Sequence, residues 1–172
     1  ARRLMYWQVY LHKTVVSSEV MLTFILKRAK ELAQSGVKLF ASPPFQLFLE
    51  NNFELKDFET NPEILNQFAL LDDNDIMGAV KVWQFHEDKV LSLLCSWLVN
   101  RKLFKIEISK EPFSEERMNY ERDLAKSAYG LTDEEVNYFI YTDHLTNNAY
   151  NEKRENINLL LKSGEVIDLS KA

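Results

Sequence analysis

Between Arg2 and Ser35 the chain carries apolar residues at helical spacing, and neither glycine nor proline interrupts it before Gly36. Val9, Val16, Val20 and Phe24 mark one stripe, with Met5, Leu22, Ile25 and Leu32 on its flank. Side chains three and four apart share a helix face. The pattern therefore predicts one long helix, apolar around much of its circumference and central to the fold. Roughly 34 residues at ~1.5 Å each make it near 50 Å long. Gly36 is the expected left-handed stop.

Shorter helices follow, each with a start signal. Ser42-Pro43-Pro44 puts serine at an N-cap and proline in a first turn; that helix runs to about Asn51 and buries Phe45, Leu47, Phe48 and Leu49. Asn61-Pro62-Glu63 starts another, to about Leu71. The stretch Asp72-Asp73-Asn74-Asp75 lacks the glycine and distal glutamate of a calcium loop, so Asp72 or Asp73 reads as the cap of a helix over roughly 75–85. Asp88 caps the next, which carries Val90, Leu91, Leu94, Trp97 and Leu98 and ends at Val99.

The period then changes. Phe104-Lys105-Ile106-Glu107-Ile108 alternates as a half-buried strand does. Ser114-Glu115-Glu116-Arg117 opens a polar helix that ends near Gly130, and Thr132–Glu135 reads as a helical turn. Val136–Thr142 is aromatic and β-branched and predicts a strand; Tyr141–Arg154 reads as a loop. Ile157–Lys162 and Glu165–Leu169 flank Ser163-Gly164 as a hairpin. The predicted class is α+β, mainly α: a long central N-terminal helix, a helical middle, and a small antiparallel sheet with a C-terminal hairpin. Residues 1–100 form its helical part and 101–172 its α+β part.

Composition narrows the function classes. Apolar runs fall far short of the ~20 residues of a membrane span, and no signal peptide is visible. The lone Cys95 excludes an intramolecular disulfide and fits a reducing cytoplasm. A net charge of −5 disfavours general nucleic-acid binding. The charge is uneven, however: residues 1–30 hold six basic side chains against Glu19, a net of +5, and the remainder carries −10. A local basic patch suits a discrete phosphate-bearing ligand. The competing reading is that Lys27, Arg28 and Lys30 complement a helix C-terminal dipole.

His12, His86 and His144 fit no metal-ligand spacing, and no phosphate-binding glycine loop or nucleophile elbow occurs. Asp143-His144 is an isolated pair. On a continuous first helix, though, Arg2, Tyr6, Tyr10 and Lys13 share a stripe. Cations grip phosphate and tyrosines meet a sugar or base, so a nucleoside triphosphate accounts for that stripe. A solvated helix end with packed tyrosine rings accounts for it too.

Arg2…Tyr10-x-His12-Lys13 before an apolar helix resembles the long helix that follows the catalytic core of HD-domain phosphohydrolases. The likeness is to the deoxynucleoside triphosphate triphosphohydrolases, which include the vertebrate sterile-alpha-motif and HD-domain protein. Leu70-Leu71-Asp72-Asp73-Asn74-Asp75-Ile76, Asn100-Arg101-Lys102-Leu103-Phe104-Lys105 and the terminal hairpin resemble further segments of that family, in order. The resemblance implies the C-terminal portion of such an enzyme, with the H…HD…D metal set upstream. It implies no catalytic residue and no metal or cofactor in this chain, and a divalent metal (Mn, Mg, Fe, Ni or Zn) in the parent. Arg2 is implied to touch substrate phosphate and Tyr10 the sugar or base. His12 and Lys13 are implied to lie near a regulatory nucleotide at subunit contacts. Leu11 stands where the vertebrate protein has a polar residue that reads the substrate. The expected setting is a cytoplasmic homo-oligomer with a nucleotide substrate, the isolated chain being inactive. Two alternatives stay open: a relative hydrolysing another phosphate ester, and a non-enzymatic helical interaction module.

Overall fold

The structure, a computed structural model, describes residues 12–109, 111–143, 158–163 and 165–168. The chain divides into two units, Lys13–Tyr141 and a second made of Ala1–His12 with Thr142–Ala172.

The larger unit begins with α1, Lys13–Gln34. Gly36, at φ +91°, ends it. The amides of Gly36 and Val37 reach back to the carbonyls of Ala33 and Leu32, both at 3.0 Å, satisfying groups the helix end leaves open. The buried face of α1 is Ser17, Met21, Ile25 and Ala29. That corrects the predicted stripe, since Val16, Val20 and Phe24 are only half-buried. Serine and alanine do not register as apolar landmarks, yet their small side chains let α1 lie close against its neighbours. The uninterrupted helix from Arg2 is corrected too: His12 is not helical, and Arg2–Leu11 lie outside the described residues.

Next come α2 (Pro43–Glu50), α3 (Leu55–Thr60) and α4 (Pro62–Ala69). The sequence pattern predicts no helix at α3; Asp57 starts it by accepting from the Glu54 amide at 2.8 Å. Asn61 caps α4 by accepting from the Glu63 amide. Asp72 caps α5 (Asp73–Trp83) by accepting from the amides of Asn74 and Asp75, and Asp75 answers by accepting from the Asp72 amide. Asp88 accepts from the Leu91 amide and starts α6, Lys89–Val99. Ser114 caps α7, Glu115–Tyr129, which stops at Gly130 with φ +62°.

The helices α1, α2, α5 and α6 enclose the core, which includes Ile25, Leu49, Val80, Trp83, Leu91 and Leu94. Each large apolar side chain taken out of water there is worth about 1.5–3 kcal/mol. Trp83 also donates its Nε1–H to the Phe40 carbonyl at 2.9 Å, so its one polar atom is satisfied.

Two strand expectations fail. Residues 104–108 form no strand; the segment is held by Ser17, whose hydroxyl donates to the Phe104 carbonyl at 3.0 Å. Val136–Thr142 holds instead the end of a 3-10 turn, Glu135–Tyr138. Val136, Tyr138 and Phe139 are buried from that turn. β-branched and aromatic side chains favour strands only where a neighbouring strand offers a surface, and Lys13–Tyr141 contains none among its described residues. Its elements are seven α-helices and the 3-10 turn. The α+β class is therefore corrected to a helical fold for Lys13–Tyr141, whose described residues add no strand after residue 101. In the other unit, Asn158–Leu160 pairs antiparallel with Val166–Asp168, three residues a side, with Leu159 opposite Ile167. No described helix is long and apolar enough to cross a membrane.

Candidate functional site

Of the four residues singled out by sequence, Arg2 and Tyr10 lie outside the described residues. His12 is exposed, and Lys13 is exposed at the first position of α1. What surrounds Lys13 was not visible in the sequence. The segment after α6 turns at Arg101, a non-glycine residue at φ +56°. The amide of Lys102 reaches back to the Trp97 carbonyl at 2.8 Å, and Ser17 then ties Phe104 to α1. Three residues on, Glu107 accepts hydrogen bonds from both terminal guanidinium nitrogens of Arg117, at 3.0 and 2.8 Å. Its pKa is held below the usual glutamate value, first by that hydrogen bond; desolvation opposes this, and the charges of Arg117, Lys105 and Lys13 add to the lowering. Three cations thus act on one carboxylate. Lys13 itself stands at the amide end of α1, where a helix favours anions.

Farther along α1 the basic residues serve the fold. Arg28 donates Nε–H to Asp88 Oδ1 at 3.1 Å and a terminal N–H to Oδ2 at 2.6 Å. Burial works to raise the Asp88 pKa, but the Arg28 hydrogen bond, the Leu91 amide and the charges of Arg28 and His86 bring it below the usual carboxylate value. Tyr138 donates its hydroxyl to Glu31, and burial, then that bond, raises its pKa. Lys27 lies 5.5 Å from the Tyr138 ring centre. Lys30 donates to the carbonyls of Phe48 at 3.2 Å and Asn51 at 3.0 Å, closing the end of α2. The reading of this trio as a complement to the helix C-terminal dipole does not hold. These cations are engaged by other elements, and the last turn of α1 has no basic residue.

His86 accepts the Asp88 amide on Nδ1 at 3.0 Å, which makes it a turn acceptor. The Cys95 thiol is buried, and burial pushes its pKa to about 12, so it is no nucleophile. Among the described residues no three His, Cys, Asp or Glu side chains stand together as a metal would require.

No protein-family model matches the sequence. The uncharacterized protein YwfO of Bacillus subtilis is 30% identical over 179 residues, covering 99% of this chain and 38% of that protein. A phosphohydrolase crystal structure from Bacteroides thetaiotaomicron is 46% identical, with a TM-score of 0.86, covering 99% of this chain and 42% of that one. The chain spans about two fifths of the length of each relative. It is similar, over nearly its whole length, to that share of a phosphohydrolase.

Proposed function

We propose that the chain is the portion of an HD-type phosphohydrolase that follows the catalytic core, in an enzyme that releases triphosphate from deoxynucleoside triphosphates. The carrying observation is the 46% identity to a phosphohydrolase at a TM-score of 0.86. The substrate class comes from the resemblance at Arg2, Tyr10, His12 and Lys13. In this reading Arg2 contacts the triphosphate and Tyr10 the sugar or base. Lys13, with Lys105 beside the same carboxylate, faces the phosphates of a regulatory nucleotide. His12 joins that role by resemblance alone. The metal, one of Mn, Mg, Fe, Ni or Zn, is held by residues outside this stretch and supplies the activated water. The assembly is a cytoplasmic homo-oligomer.

Leu11, in place of a polar residue that reads the substrate in the vertebrate relative, keeps another phosphate ester as the competing substrate. Turnover of the full-length protein over deoxynucleotides, ribonucleotides and simple phosphate monoesters, with each metal added in turn, separates the two. Release of triphosphate from dGTP or another deoxynucleotide is the expected result. Hydrolysis of monoesters alone overturns the substrate class, and no hydrolysis of any member removes the enzyme reading. The 172-residue chain by itself, given Mn²⁺ and dGTP, is expected to release no triphosphate.

A further inference from the structure

Gly78 stands in the middle of α5, a position where glycine is among the worst residues for helix stability. Nothing inside the fold requires it, since a Cβ placed there meets no atom within 4 Å. It lines an open pocket of about 270 Å³ together with Phe40, Ala41, Ser42, Asn74 and Asp75. Ser42 holds the N-cap position of α2 without making a cap bond, and its buried Oγ has no hydrogen-bond partner. Asp75 brings a carboxylate whose cap bond uses Oδ2. The bond from Trp83 to the Phe40 carbonyl fixes this segment against α5. The Phe40 ring is nonetheless 59% exposed, and one and two turns beyond Gly78, Val82 and Phe85 are 45% and 84% exposed.

The stretch of chain that leads into α5 carries charge of one sign. From Glu50 to Asp75 there are eight acidic side chains and one basic, Lys56, a net of −7. Among the described residues none of the eight forms an ion pair. An anion does not suit this place. The first two positions of α2 are Pro43 and Pro44, which have no amide hydrogen to offer.

We propose that this face receives a basic amphipathic helix of a partner chain, which crosses α5 at Gly78 and sets one arginine or lysine side chain into the pocket. The missing Cβ lets two backbones approach closely. The cation lies against the Asp75 carboxylate and the Phe40 ring, and the aromatic face attracts it further. The side-chain oxygen of Asn74, whose Nδ2 is engaged with Asp72, accepts one of its remaining hydrogens. Val82 and Phe85 take the apolar side of the partner helix. The volume fits one long side chain better than a drug-sized ligand, which needs ~300–1,000 Å³. The acidic stretch attracts a basic partner over distance and repels an acidic one.

The test uses the full chain and a fluorescein-labelled helical peptide of leucine, alanine and arginine, with a second peptide in which glutamate replaces arginine. Anisotropy titration is expected to show binding of the arginine peptide that weakens with salt. The glutamate peptide is expected to bind at least about ten-fold more weakly. Gly78→Ala, which the space admits, raises Tm by ~2–4 °C, and Gly78→Leu weakens the arginine peptide at least about ten-fold while the protein stays folded. Equal binding of the two peptides, or wild-type affinity in Gly78→Leu, overturns the proposal. Self-association in sedimentation that Gly78→Leu abolishes overturns it also, because the occupant is then a second copy of this chain.

Discussion

Arg28 joins three elements through one guanidinium. It holds both oxygens of Asp88, the residue that caps α6, reaches Glu31 on its own helix at 3.5 Å, and lies 5.9 Å from the Tyr138 ring. The pair is only partly exposed, at 23% and 13% of the two side chains. A hydrogen bond to a charged group is worth about 1.5–3 kcal/mol, so Arg28→Ala is expected to cost that much. At ~2–4 °C per kcal/mol the melting temperature falls by roughly 3–12 °C. Arg28→Lys recovers part of this, since an ammonium does not grip two oxygens in parallel. The pH dependence has a definite sign. The Asp88 pKa is depressed in the folded state. Its contribution is therefore complete above the ordinary aspartate value of ~3.9 and fades as pH falls through the lower, folded value. Urea midpoints between pH 7 and 2.5 should drop more gently in Arg28→Ala than in the wild type; parallel curves would rule out the pair as the source. The sequence shows a basic run in α1. It does not show that the carboxylate awaiting Arg28 lies 60 residues away.

Four helix starts were legible because the signal is local. Asn61, Asp72, Asp88 and Ser114 each accept the amide that their position predicts. What depends on a neighbour was not legible. The buried face of α1 is rotated from the stripe of large apolar residues because Ser17 and Ala29 fit where bulk does not. The alternation over 104–108 met α1 where a strand was expected, and the aromatic run after Glu135 turned into the core instead of pairing. The end of α6 shows the opposite case, a local rule broken. A C′ residue in the left-handed region is usually glycine, and here it is Arg101 at φ +56°. A side chain in that conformation costs about 1–2 kcal/mol, part of which a glycine gives back in the unfolded chain. Arg101→Gly is thus expected to raise stability by roughly 0.5–1 kcal/mol, read as a higher urea midpoint at unchanged slope. A lower midpoint would mean that the side chain stabilises the fold. A gain would leave its reason to function, as with other strained residues near binding sites.

For the molecule as a whole, the candidate binding corner was half legible. Lys13 was marked by its company in Tyr10-x-His12-Lys13, whereas Lys105, Glu107 and Arg117 join it only through the fold. Arg2 and Lys13 are assigned to different nucleotides in the proposed reading, so the two sets of contacts are separable in kinetics. Arg2→Ala in the full-length enzyme is expected to lower kcat/KM by about ten- to a hundred-fold, the loss of one charged contact to the transferred phosphates. Lys13→Ala and Lys105→Ala should leave turnover by the fully activated enzyme unchanged and raise the nucleotide concentration that half-activates it. Their effects should not add, because both cations act on one anion and removing either weakens what the other holds. Activation by the remaining cation should also lose part of its salt sensitivity. The measurement is activation curves for each single variant and the pair, at two salt concentrations, with melting temperatures in parallel. Additive shifts would place the two lysines in separate sites. A fall in kcat/KM for Lys13→Ala with activation intact would move Lys13 to the substrate, and the corner at the start of α1 would then belong to the catalytic nucleotide.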